Sequence, residues 1–132
     1  WSIGIVNETE IDKINILNAS FLAMHKAIYG LEVKPSLLLV DGNRFKAYPN
    51  IDHKCIIKGD SKYISIAAAS ILAKTFRDDL MKKLDERFPE YDWKNNKGYP
   101  TKKHKLAINK IGICKYHRKS FQLFNNQVKL NL

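Results

Sequence analysis

Cysteine is scarce: Cys55 and Cys114 are the two in this chain of 132 residues. They make neither a disulfide framework nor a CxxC metal site, so a reducing, cytoplasmic setting is the expectation. Long apolar runs are missing too. Stretches such as Leu37–Val40 are far too short to span a bilayer, and no signal-peptide pattern opens the sequence. There is no internal repeat and no low-complexity linker. What remains is 45% hydrophobic and 27% charged, the balance of a folded globular protein rather than a disordered one. The length suits a single domain over residues 1–132, able to bury roughly two-thirds of its unfolded surface without staples.

Acidic side chains are the other shortage. Thirteen Asp and Glu face 23 Lys and Arg, leaving a net charge of +10. A field of that sign attracts polyanions and speeds their association. The basic residues thicken between Lys94 and Lys119, interleaved with Tyr99, His104, Tyr116 and His117. That mixture suits phosphate contact combined with stacking on a sugar or base. Lysine-rich surfaces are also common without any such role, so charge alone leaves nucleic-acid binding open.

The pattern of apolar residues predicts an alternation of strands and helices. Trp1, Ile3 and Ile5 alternate like a strand, and a chain opening inside a strand with Trp1 reads as a piece of a longer protein. Asn7, Glu8 and Thr9 offer cap chemistry, and Ile11, Ile14, Leu17, Phe21, Met24 and Ile28 form a helical stripe closed by Gly30. Leu37–Val40 predicts a strand buried on both faces, and Cys55–Ile57 a shorter one. From Ser61 a long helix follows, with Ile64, Ala67, Ala68, Ile71, Leu72, Phe76, Leu80, Leu84 and Phe88 on one face and Pro89 as its stop. Thr101 to Ile111 predicts a last helix, capped by Thr101 and ended by Gly112. Such an order indicates an α/β protein with at least one parallel crossover.

Two carboxylates stand out. Asp41 directly follows the apolar strand, and in open α/β sheets ligands gather at the carboxyl ends of strands. Asp60 follows the second strand within Lys58-Gly59-Asp60-Ser61-Lys62, where Lys58 and Lys62 bring phosphate-binding chemistry. Each also has a plain structural reading: a turn at Asp41-Gly42-Asn43, and a helix N-cap at Asp60. Asp78 and Asp79 have Lys82 and Lys83 four residues on, as surface ion pairs would. Strand-end acids in a basic surround fit phosphodiester hydrolysis assisted by Mg²⁺ or Mn²⁺. Two acids are few for two metal ions, so further ligands are expected from outside these residues.

Asp41-Gly-Asn-Arg, Lys58-Gly-Asp60-Ser-Lys-Tyr, and Ile66-Ala-Ala-Ala-Ser70-Ile-Leu-Ala-Lys74 with Arg77-Asp78 strongly resemble ribonuclease HII. Gly98-Tyr99-Pro-Thr101 with His104, and His117-Arg-Lys-Ser-Phe121, match the same family in the same order, and Ile11–Leu17 resembles its helix ahead of the Asp-Gly strand. The resemblance implies an RNase H-like fold, with a truncated central mixed sheet, flanking helices and a helical carboxyl-terminal region. It implies cleavage of the RNA strand in RNA–DNA hybrids, and incision at ribonucleotides embedded in duplex DNA. It makes Asp41 and Asp60 catalytic metal ligands and Tyr99 the tyrosine that stacks beside the RNA–DNA junction. Lys58, Lys62 and Arg118 then contact substrate, with His117 and Ser120 supporting the site or serving as structural polar groups. Ala67, Ala68 and Ala69 let their helix approach the sheet, and His104 faces solvent or a neighbouring turn.

One departure is large. The family opens with a strand bearing an Asp-Glu pair and a Gly-Arg-Gly loop, whereas the single Asp-Glu here is Asp85-Glu86, late in a helix. By this resemblance the chain starts at the family's third strand and alone is inactive. Two other readings stay open: a non-catalytic basic module that binds nucleic acid, and one half of a split nuclease.

Overall fold

The first helix begins where Asn7 accepts a hydrogen bond from the Glu10 N–H (2.8 Å) and the Glu10 carboxylate accepts one from the Asn7 N–H (3.0 Å). This reciprocal pair satisfies two of the donors that every helix start leaves open. In the computed structural model, which describes residues 1–120, this helix (α1) spans Glu8–Tyr29, and Gly30 caps it through N–H bonds to Lys26 and Ile28 carbonyls. Phe121, the last residue of the fifth motif, lies outside the described residues.

Asn15 interrupts α1. Its backbone takes φ 65° and ψ 167°, and its side-chain oxygen accepts the Asn18 N–H at 3.1 Å. The residue therefore caps a second helical stretch through a local side-chain bond to the backbone, the use asparagine favours over a helix interior. The break shifts the phase of the helical stripe. Ile14, Phe21 and Ile28 are half-buried as expected, but Leu17 and Met24 are exposed.

The expected strand at residues 1–5 does not form. These residues are not part of any ladder and lie instead against the second stretch of α1. Gly4 approaches Ala23 and Ala27 so closely that a Cβ there would collide with backbone, and Lys26 Nζ donates to the Ile5 carbonyl at 2.9 Å. Alternation alone cannot make a strand, because its N–H and C=O groups need a neighbouring strand to bond. Lys26 also pairs with Glu10 at 2.8 Å, and that hydrogen bond, with help from the Asn7 N–H, lowers the Glu10 pKa.

Strand β1, Leu37–Asp41, pairs in parallel with β2, Asp52–Ile56, in a register that sets Leu37 opposite Asp52 and Asp41 opposite Ile56. The parallel pair bears out the α/β class and fits an RNase H-like arrangement. Leu38 and Val40 are buried while Leu37 is exposed and Leu39 half-buried, so β1 hides one face rather than two. Its period of two decides which side chains point inward. β2 begins earlier than Cys55 and stops before Ile57, because pairing with β1 sets its length rather than apolar content.

A 3₁₀ turn at Gly59–Ser61 leads into α2, Ile64–Arg87. Helix α2 thus starts after Ser61, where the sequence had placed it. Ile66 is buried, yet much of the anticipated stripe is not covered among the described residues: Ile64 is 89% exposed, Ile71 65% and Phe76 41%. Ala68 and Ala69 are exposed as well, so the close approach to a sheet expected of that alanine run is not seen here.

The chain forms two compact units, with the boundary at Leu80–Met81, inside α2. In the second, Pro89 stops α2 and opens a 3₁₀ turn, Pro89–Tyr91, followed by the short helix α3, Trp93–Asn96. Thr101 then caps α4, Lys102–Ile111, and Gly112 ends it, as expected. Tyr91, Trp93 and Ile108 form the core here, packed against Met81, Leu84, Phe88, Ala107, Cys114 and Tyr116. Among the described residues no helix is long and apolar enough to cross a membrane.

Trp93 stacks on Tyr91 at 5.0 Å and is 4% exposed. Trp93→Ala should therefore cost the second unit about 3–5 kcal/mol. Urea unfolding followed by far-UV dichroism, beside exchange of the α4 amides, measures it; a loss under about 1 kcal/mol would deny that this cluster is the unit's core.

Candidate functional site

Because β1 and β2 are parallel, both end at the same edge of the sheet. Asp41 closes β1, and the next residue, Gly42 (φ 104°), donates its N–H to the Ile56 carbonyl at 3.0 Å before the chain turns away. Such a φ is open to glycine and strained for most other residues. Beyond β2, Lys58 adopts a left-handed conformation (φ 54°, ψ 46°) and reverses the chain into the Gly59–Ser61 turn. The Gly59 N–H then donates to Asp41 Oδ1 at 2.8 Å. The turn that carries Asp60 is thereby latched to the strand end that carries Asp41.

The turn is also closed internally. The Lys58 carbonyl accepts from the Ser61 Oγ at 2.8 Å, and the Gly59 carbonyl accepts the Lys62 and Tyr63 N–H groups at 3.0 and 2.8 Å. Asp60 lies inside this 3₁₀ turn, exposed, and not at the N-cap of α2. Its carboxylate is thus held on a fixed backbone and open to solvent. Gly59 is buried, and a Cβ on it would meet Ile66 Cδ1 at 2.6 Å, Asp41 Oδ1 at 3.4 Å and Ile56 Cβ at 3.5 Å. Gly59 thus supports the site, and a glycine between a strand end and an acid is the sequence signal for that role.

Lys58 and Lys62 are both exposed beside Asp60. The Lys62 ammonium folds back onto the Ile57 carbonyl at 3.0 Å, so its charge is held close to the turn. Tyr99 and Arg118 belong to the second unit. Tyr99 is 70% exposed, in a turn where its N–H donates to the Asn96 carbonyl and its own carbonyl accepts the Thr101 N–H, both at 2.8 Å. Arg118 is half-buried next to buried His117. Asp78 and Asp79 lie on α2, in the first unit.

Of the two places expected for His104, solvent or a neighbouring turn, it takes the second, against the Pro89–Tyr91 turn. It is 2% exposed, and its Nδ1 lies 2.9 Å from the Tyr91 carbonyl. The aromatic core of the second unit draws it inward, since an imidazole ring packs well once one nitrogen is satisfied.

Among the described residues no group of three or more His, Cys, Asp or Glu side chains is arranged to hold a metal ion. The donor set at the sheet edge still suits a hard divalent cation in kind. Asp41 spends one oxygen on the Gly59 amide and keeps the other, and the Asp60 carboxylate is exposed.

An α/β chain with acids at the carboxyl ends of parallel strands has them at the edge where ligands of open α/β sheets gather. The family model for Ribonuclease HII matches residues 2–124. Relatives named Ribonuclease HII include one from Christiangramia forsetii, 64% identical over 131 residues, covering 99% of this chain and 66% of the relative. Another, from Bacteroides fragilis, is 64% identical over 126 residues, covering 96% of this chain and 63% of the relative. A third, from Cytophaga hutchinsonii, is 53% identical over 131 residues, 98% of this chain and 65% of the relative. The chain belongs to the ribonuclease HII family. It spans a little under two-thirds of the length of these relatives.

The latch can be tested directly. Asp41→Ala strands a buried N–H, which costs about 1–3 kcal/mol locally, whereas Asp41→Asn keeps an oxygen acceptor. Hydrogen exchange at the Gly59 amide should speed up at least about tenfold in Asp41→Ala and far less in Asp41→Asn. Equal exchange in all three proteins would show that the bond does not hold the turn.

Proposed function

We propose that this chain carries part of the active region of a cytoplasmic endonuclease that cuts the RNA strand of RNA–DNA hybrids and incises duplex DNA at embedded ribonucleotides. The observation that carries this reading is the 2.8 Å bond from the Gly59 N–H to Asp41, which ties two strand-end acids to one edge of the sheet. Asp41 and Asp60 are the residues that hold Mg²⁺ or Mn²⁺. A divalent cation there supplies positive charge and Lewis acidity to a phosphodiester. Asp41 keeps its orientation through Gly59, and Asp60 keeps its own through the closed 3₁₀ turn. Lys58, Lys62 and Arg118 contact phosphates, and exposed Tyr99 stacks on the sugar beside the RNA–DNA junction.

Two acids make half of a two-metal set. The relatives are about half as long again as this chain, and among the described residues the apolar face of α2 is left exposed at Ile64, Ile71 and Phe76. Both facts support a further segment, in cis or in trans, that covers this face and completes the site. The chain alone is then inactive.

A duplex containing one ribonucleotide tests this on a gel. The chain alone should not cut, the chain extended to the length of its relatives should cut with Mg²⁺, and Asp41→Asn in the extended chain should lower the rate at least about 100-fold. Robust cutting by the chain alone, or by the extended Asp41→Asn protein, would refute the assignment. Affinity for hybrid duplex should fall more than about tenfold between 50 and 200 mM salt, the mark of phosphate contacts. Salt-independent binding would contradict the phosphate-contact reading.

A further inference from the structure

The second unit buries two histidines that no proposed chemical step uses. His104 and His117 are 2% and 8% exposed, and their rings stack 5.2 Å apart at 21°. His117 stands edge-on to Tyr91 at 4.7 Å and tilts over Trp93 at 5.2 Å. Its Nδ1 accepts the Cys114 N–H at 3.1 Å, which places the ring proton of the neutral form on Nε2, a buried atom without a hydrogen-bond partner. A second proton must therefore enter at Nδ1, where it displaces the Cys114 N–H.

The same pair leads to Tyr99. The Tyr91 carbonyl takes both the His104 Nδ1 at 2.9 Å and the Asn96 Nδ2 at 2.7 Å. Asn96 then holds the Tyr99 turn from below: its Oδ1 accepts the Gly98 N–H, and its carbonyl accepts the Tyr99 N–H, each at 2.8 Å. A continuous set of hydrogen bonds thus runs from the imidazole stack through one carbonyl to the exposed tyrosine. We propose that uncharged His117, packed on Tyr91, Trp93 and His104, holds the Tyr99 turn in place and loosens it on protonation, so that Tyr99 engages nucleic acid at neutral pH and disengages in mild acid. His104, His117 and Asn96 are positioning residues in this device, which rests on the reading of Tyr99 as a substrate contact.

What the surroundings offer an imidazolium is the Cys114 backbone and the Cys114 Sγ, 3.4 Å from Nδ1. Facing the pair are Tyr91 from the Pro89–Tyr91 turn, Trp93 from α3 and Cys114 from the segment after α4. Of the unit's carboxylates, Asp85 and Asp92 are ion-paired with Lys94 (3.7 Å) and Lys103 (2.9 Å), while Glu86 and Glu90 are exposed, Glu90 raising the Tyr91 pKa. Burial, then the neighbouring His104, holds the His117 imidazole below its ordinary value, and the Cys114 backbone opposes this more weakly. The sign follows. Above pH about 6.5 neither folded nor unfolded His117 binds the extra proton; below it the unfolded form binds first, so the packed unit loses stability as pH falls and levels off beneath the lowered folded value.

The test uses the chain labelled with ¹⁵N, titrated from pH 7.5 to 5.0. The Gly98 and Tyr99 amides and the Trp93 indole should shift together with His117, at a midpoint below about 6.5, while the Gly59 amide of the first unit stays constant. The His117→Phe variant, which cannot titrate there, should lose that shared shift. Gly98 and Tyr99 signals that ignore the His117 titration in the unsubstituted chain would overturn the proposal whether or not the variant folds. So would loss of every second-unit signal at once. Binding of a labelled RNA–DNA hybrid separates the two readings. Tyr99→Ala should weaken binding about tenfold at pH 7.5 and leave it unchanged relative to the parent at pH 5.5. No effect of Tyr99→Ala at either pH, with the amide coupling intact, would refute the role of Tyr99 in binding while leaving its turn under the control of the histidines.

Discussion

A buried backbone N–H has to find an acceptor, and at Gly59 the acceptor is the carboxylate of Asp41. That single requirement organises the sheet edge. It fixes the end of β1 against the chain leaving β2, and it commits one oxygen of Asp41 while sparing the other. Gly59 can serve because it lacks a Cβ, which would crowd Ile66, Ile56 and Asp41 itself. A carboxylate bonded to one backbone donor is oriented without being neutralised, which is the condition a cation ligand needs.

The second unit solves a different problem. A chain with a net charge of +10 repels itself, and the unit from Met81 onward carries many of its lysines. The lysines stay at the surface, where Lys103 and Lys94 are tied to Asp92 and Asp85, and Lys103 with Asn95 lowers the Asp92 pKa. The interior is largely aromatic: Tyr91, Trp93, Phe88 and Tyr116 surround two buried histidines, and buried Asp85 is paired with Lys94. Burial holds the Tyr91 phenol above its usual value, so it stays protonated and donates to the Gly112 carbonyl at 2.8 Å. A core built this way disfavours a charged His117 and so loses stability as pH falls below the ordinary imidazole value.

The two ends of α2 illustrate how one helix serves two environments. Toward its carboxyl end, Met81, Leu84 and Phe88 pack into the aromatic core. Toward its start, Ile64 and Ile71 stand in solvent although they continue the same apolar stripe. A stripe records what a helix is able to bury and does not record what is present to bury it. The shorter length of this chain relative to its family members supports the same view of that face.

The sequence by itself determined the elements whose causes are local. Asn7 with Glu10, Gly30, Pro89, Thr101 and Gly112 mark helix ends because capping and chain termination act over three or four residues. The apolar run before Asp41 made a strand, and the spacing of motifs carried the family. Other features depended on partners distant in sequence, which local patterns do not encode. Trp1–Ile5 alternates correctly but is not in a ladder, so its backbone settles on α1. Asn15 breaks a helix that periodicity reads as continuous, since its cap competes with the stripe. Asp60, for which an N-cap was one of two open readings, sits in a 3₁₀ turn that the Gly59 amide ties to Asp41. His104, polar by type, went inside because Tyr91 offered both a carbonyl and a ring. Short-range hydrogen bonding could be read from the chain; which buried donor meets which acceptor was decided only when the strands and rings were brought together.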